Sequence, residues 1–173
     1  NHKVEGMDFP AVYKGYQAFL LKNRLMDFDD QMVFTYRIFR QYPDILAHFQ
    51  RRWPYLCVDE AQDTSKIQHA ILRQLAAQSR NIFMVGDEDQ SIYGFRAAWP
   101  QALLEFDRVW PGAKVLMMET NYRSTKSIVE AADAFIQCNE SRRPKHMRTD
   151  NPQGVPIKMV PLADYNRQYK YLL

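Results

Sequence analysis

The sequence predicts an α/β fold, a mainly parallel sheet flanked by helices, with a helical segment ahead of it. Three observations carry this. Short apolar runs stand at residues 55–58, 82–85 and 115–118, as strands buried on both faces require, and a fourth, mixed run over 155–160 reads as a last strand. Stretches with helical spacing alternate with them. Three of the four runs end in polar or acidic residues, where parallel sheets gather their chemistry.

The elements follow in order. Val12, Tyr13, Tyr16, Phe19 and Leu20 fall at helical spacing within residues 9–25. Asp27 offers an N-cap to a second helix carrying Met32, Phe34, Tyr36, Ile38 and Phe39. Pro43 starts a third, with Ile45, Leu46 and Phe49 on its inner face. Further helices are expected over 67–77 and 127–138, and turns at 110–112 and 151–156.

With 173 residues, the chain has the length of one ordinary domain. Hydrophobic residues at 46% and charged residues at 25% give a soluble globular balance. No apolar run approaches the ~20 residues of a membrane helix, so no membrane is expected. The first residues, Asn1-His2-Lys3-Val4-Glu5, are not a signal peptide. The missing initial Met leads us to expect excision from a longer chain. A net charge of +3 permits nucleic-acid binding without arguing for it. Cys57 and Cys138 have no metal-ligand spacing. Cys57, inside an apolar run, is expected to be buried, and a reducing cytoplasm suits both thiols.

Three strings carry chemistry. The first is Val58-Asp59-Glu60-Ala61-Gln62-Asp63-Thr64, directly after an apolar run. An aspartate there can hold Mg²⁺ through water, because Mg²⁺ takes oxygen ligands and keeps several waters. A neighbouring glutamate can deprotonate an attacking water. An acid-rich helix start is the bland alternative. The second string runs from Val85 to Arg96. Gln90 can sense a terminal phosphate, and Tyr93, Phe95 and Arg96 form an aromatic-basic patch able to stack on unpaired bases. Core packing is the alternative for such aromatics. The third is Glu119-Thr120-Asn121-Tyr122-Arg123-Ser124, where Arg123 can reach a transferring phosphoryl group and Tyr122 a purine ring. No phosphate-cradling G-x-x-x-x-G-K-[ST] loop occurs, and none of the six glycines precedes a lysine.

In this order and spacing the strings resemble the superfamily 1 DNA helicases of the UvrD/Rep/PcrA type, over roughly residues 25–160. Asp27-Phe28-Asp29-Asp30 resembles the segment before that family's Walker B strand. Residues 58–64 look like motif II, 85–96 like motif III, 121–124 like motif IV, and 148–154 like the linker into the second RecA-like domain.

The resemblance implies a partial RecA-like sheet of the P-loop NTPase type, with ATP, Mg²⁺ and single-stranded DNA as partners. It implies that Asp59 coordinates Mg²⁺ via water, Glu60 is the catalytic base and Gln90 couples the γ-phosphate to DNA. Tyr122 stacks on adenine and Arg123 contacts the γ-phosphate. Tyr93, Phe95 and Arg96 lie along the DNA, with Phe95 where many relatives carry Trp. It further implies 3′ to 5′ translocation. The expected divisions are a helical segment at 1–54, the second half of domain 1A at 55–125, and a linker with the start of domain 2A at 126–173. Lacking the phosphate loop, the chain alone is expected to be inactive and to self-associate through unpaired sheet edges. A degenerate, non-hydrolysing DNA- or protein-binding module is the alternative.

Overall fold

The computed structural model describes residues 6, 8–91, 98–162 and 164–172. The chain forms two compact units, Asn1–Pro111 and Gly112–Leu173.

In the first unit, α1 spans Phe9–Lys22. The Asp8 carboxylate caps it by accepting the Ala11 N–H at 3.2 Å. Asp27 caps α2 (Phe28–Gln41) as its sequence position predicts. Asp27 accepts the Asp30 N–H at 2.8 Å, and Asp30 accepts the Asp27 N–H at 3.3 Å. This satisfies two amides that a helix start leaves unpaired. The Tyr16 hydroxyl donates to the same Asp27 at 3.0 Å, tying α1 to α2. Pro43 opens α3 (Pro43–Arg52) at its first position.

Helices α2 and α3 pack on each other and on α4, Lys66–Ala76. Phe39, buried on α2, meets the Phe49 ring at 5.7 Å, and Phe49 stacks on Trp53 at 4.9 Å. Gln50, also buried, donates its amide to the Gln74 carbonyl at 2.8 Å. The apolar faces of α1 and α3 are less covered than their spacing predicts. Leu20 is buried, but Val12, Tyr13, Phe19 and Ile45 are exposed.

Beyond this layer, β1 (Leu56–Val58) and β2 (Ile82–Met84) form a two-stranded parallel sheet. Leu56 pairs with Ile82, Cys57 with Phe83 and Val58 with Met84, and α4 is the crossover between them. Successive side chains alternate faces. Leu56, Val58, Ile82 and Met84 are half-buried, whereas Cys57 and Phe83 face outward. The expected burial of Cys57 is thus corrected: one face of this sheet is uncovered. Two short helices, α5 (Gln101–Leu104) and α6 (Phe106–Val109), close the unit.

The second unit holds α7 (Lys126–Ile136) and α8 (Tyr165–Leu172). The predicted strands at 115–118 and 155–160 do not form. Among the described residues, this unit has one isolated bridge, Thr120 beside Arg148. Leu116 and Met118 are about four-fifths exposed, at 80% and 82%. An apolar run has strand propensity, but a strand needs a neighbour to complete its hydrogen-bond ladder. Val129 is the buried apolar residue of α7. Asp133 clips the 140s loop to this helix, accepting the Met147 N–H at 2.8 Å and bonding His146 Nδ1 at 3.1 Å. These bonds, the Met147 amide first, hold its carboxyl below the usual value.

Candidate active site

Because β1 and β2 are parallel and in register, their carboxyl ends emerge side by side. The Val85 N–H donates to the Val58 carbonyl at 2.8 Å, and the Ala61 N–H returns a bond to the Val85 carbonyl at 3.0 Å. Asp59 and Glu60 leave β1 at this point, both exposed to solvent. Asp59 Oδ1 accepts the Glu60 N–H at 2.9 Å. Glu60 adopts the left-handed conformation, φ 49° and ψ 42°. A side chain with a Cβ is uncommon there, and it turns the chain sharply out of the strand into a helical turn, Ala61–Asp63.

Below that turn lies Gln62, only 2% exposed. Its Nε2 donates to Glu60 Oε2 at 2.6 Å, and its Oε1 accepts the Asp87 N–H at 3.0 Å. The Ser91 hydroxyl donates to the Gln62 carbonyl at 3.3 Å. Asp87 Oδ2 in turn accepts the Gln90 amide at 2.9 Å. Gly86 is required by space, since a Cβ would stand 2.7 Å from Gln62 Oε1 and 2.8 Å from Leu103 Cδ1.

Further along, Thr64 and His69 anchor the same loop. The Thr64 hydroxyl donates to the Ala61 carbonyl at 2.6 Å. Its single proton is thereby committed, so it accepts from His69 Nε2. The Thr64 carbonyl accepts the Trp99 N–H at 2.9 Å, and the Trp99 ring meets the imidazole edge-on at 5.8 Å. Burial pushes the His69 imidazole below its ordinary 6.5, while a backbone bond with Ala61 pulls the other way. The cavity beside it, lined by His69, Ile82, Met84, Trp99 and Trp110, measures about 30 Å³. That is room for roughly one water rather than a ligand.

The structure thus brings together Asp59, Glu60 and Gln90, three of the residues the sequence singles out. Tyr122 and Arg123 belong to the second unit. There the Asn121 side chain accepts the Arg123 and Ser124 amides at 2.9 and 2.8 Å, and both Tyr122 and Arg123 are exposed. Tyr93, Phe95 and Arg96 lie outside the described residues. Sequence reasoning missed Gln62. The only signal was an amide-bearing residue two positions beyond the acidic pair, inside an otherwise familiar string.

Chemically, the strand ends offer exposed carboxylates on a backbone fixed by the sheet. Among the described residues no three His, Cys, Asp or Glu side chains gather as a metal cage. The oxygen-only, open arrangement at Asp59 fits a hard cation that retains water and takes its remaining ligands from a phosphate.

Residues 1–111 match the UvrD/REP helicase N-terminal domain, the same stretch that forms the first compact unit. The chain is 44% identical to the ATP-dependent DNA helicase PcrA of Bacillus subtilis over 146 residues, covering 84% of this chain and 20% of that protein. Against PcrA of Staphylococcus epidermidis it is 44% identical over 163 residues, 94% of this chain and 22% of the relative. Against PcrA of Staphylococcus aureus it is 43% identical over 147 residues, 85% and 20% respectively. The chain therefore spans about a fifth of the length of these relatives. A parallel strand pair with acids at its carboxyl ends, and a match over the whole first unit, lead to one conclusion: the chain belongs to the UvrD/REP helicase family.

Proposed function

We propose that this chain is part of the motor core of an ATP-dependent DNA helicase of superfamily 1, coupling Mg-ATP hydrolysis to 3′ to 5′ movement on single-stranded DNA. The observation that carries this reading is the junction of the β1 and β2 ends, where Asp59, Glu60, Asp87 and Gln90 converge. The fold that suits it is a partial RecA-like sheet, with β1 as the Walker B strand. Its divisions are a helical lead-in at 1–54, the second half of domain 1A at 55–125 and the entry to domain 2A at 126–173.

In this reading Asp59 would hold Mg²⁺ through water, and the ion would supply charge neutralisation at the phosphates. Glu60 accepts the proton of the attacking water. As the water oxygen bonds to the γ-phosphorus, the bond to the bridging oxygen breaks and ADP leaves with that electron pair. Gln90, now bonded to Asp87, exchanges this partner for the γ-phosphate. Arg123 contacts the same phosphate and Tyr122 stacks on adenine. Tyr93, Phe95 and Arg96 follow the DNA strand.

The chain by itself has no phosphate-binding loop in its sequence, so we expect it to hydrolyse no ATP with or without single-stranded DNA. The full-length protein is expected to do so, and Glu60→Gln to lower its turnover to a small but measurable residual rate. DNA-stimulated turnover by the isolated chain, or full activity of Glu60→Gln, would overturn the assignment. The outer edges of β1 and β2 also favour self-association of the isolated chain, which sedimentation across a concentration series measures.

A further inference from the structure

We propose that Gln62 is a positioning residue: its buried amide fixes the Glu60 carboxylate against the loop that carries Gln90. The proposal rests on the hydrolytic reading above and adds to it the device that aims the base.

Glu60 and Asp59 are exposed, and an exposed carboxylate on a flexible stem samples several rotamers. A general base must instead stand within hydrogen-bond reach of one water. Gln62 is the polar residue placed to restrict it. Its side chain is fully enclosed, and both ends of its amide are engaged in opposite directions. Nε2 reaches Glu60 Oε2 at 2.6 Å, and Oε1 takes the Asp87 N–H at 3.0 Å. Chemistry fixes which end is which. A carboxylate needs a donor and a backbone N–H needs an acceptor, so turning the amide over would break both bonds. The bond to Glu60 has an ionised acceptor, the stronger class of hydrogen bond.

Asp87 passes the connection on, because its side chain holds the Gln90 amide at 2.9 Å. Glu60, Gln62, Asp87 and Gln90 therefore form one continuous chain from the end of β1 to the turn after β2. Gly86 leaves the space this chain occupies, since a Cβ there would collide with Gln62 Oε1.

The test uses the full-length protein and steady-state ATPase kinetics with single-stranded DNA. Gln62→Met keeps the buried volume and removes both bonds. We expect kcat to fall about ten- to a hundredfold, the scale of a misplaced catalytic group, with the KM for ATP within about twofold. In a Glu60→Gln background, Gln62→Met should cost nothing further, because the carboxylate it aims is already gone. A lowered melting temperature with unchanged kcat per folded molecule would overturn the proposal. So would an additional loss in the Glu60→Gln background. Should Gln62→Met fail to fold, Gln62→Glu is nearly isosteric and sets a like charge against Glu60; wild-type kcat in that variant overturns the proposal equally. Full activity in Glu60→Gln instead sinks the hydrolytic reading, whereas a severely slowed Glu60→Gln beside a fully active Gln62→Met sinks the Gln62 assignment alone.

Discussion

His69 is buried between the acidic loop and Trp99, with Arg73 and Glu105 lining the adjacent cavity and Lys66 over the Trp99 ring at 5.5 Å. Its folded pKa lies below the unfolded value of 6.5, chiefly because burial disfavours the imidazolium. The unfolded chain therefore binds the proton more readily. Stability is fully present above about pH 6.5 and is lost as pH falls from there toward the folded pKa. We expect the thermal midpoint of the chain to drop on acidification through this window. His69→Phe, which keeps an aromatic ring beside Trp99, should flatten the drop. An unchanged slope in that variant would assign the titration elsewhere. Asp27 and Asp133, both lowered from 3.8, act only at more acidic pH. At this scale the sequence was partly legible. The positions of Asp59, Glu60 and Gln90 at the strand ends were readable because each directly follows or lies close behind an apolar run. Gln62 and His69 were not, because their importance comes from burial and from partners 25 residues away or on another loop.

Among the elements, the helical layer around α2, α3 and α4 carries most of the packing. Phe39 is 6% exposed, whereas Ile45 is 41% exposed on α3. Removing a buried aromatic ring costs about 3–5 kcal/mol, and an exposed apolar side chain within about 0.5 kcal/mol. Phe39→Ala should therefore shift the urea midpoint strongly, and Ile45→Ala hardly at all. Equal shifts would mean that the α3 face is covered in solution. Helix starts were legible because caps are local: Asp27 and Pro43 stand where the sequence puts them. Strands were less so. The runs at 56–58 and 82–84 pair through the α4 crossover, while the equally apolar run at 115–118, and 155–160 with its Pro156 and Lys158, form no ladder. Partner choice is a long-range property that a run of Val, Leu and Met does not encode.

Over the whole molecule, the two units differ in how much they enclose. The first buries Leu20, Phe39, Ala61, Leu75, Ala76 and Ala102, and the second, among the described residues, Val129. Amide exchange follows local burial and opening. We expect α2 and α4 to exchange slowly and α7 quickly, read by hydrogen–deuterium exchange with mass spectrometry. Comparable protection in α7 would contradict this. The family match ends at residue 111, where the first unit also ends.

If Glu60 is the proposed base, its left-handed backbone sets activity against durability at a single position. An L-residue with a side chain costs about 1–2 kcal/mol in that conformation, which glycine adopts freely. Glu60→Gly should raise the melting temperature while removing the carboxylate; a lower melting temperature would mean that the Gln62 bond outweighs the relief. On the reading of Glu60 as the base, the strained backbone serves turnover and not stability.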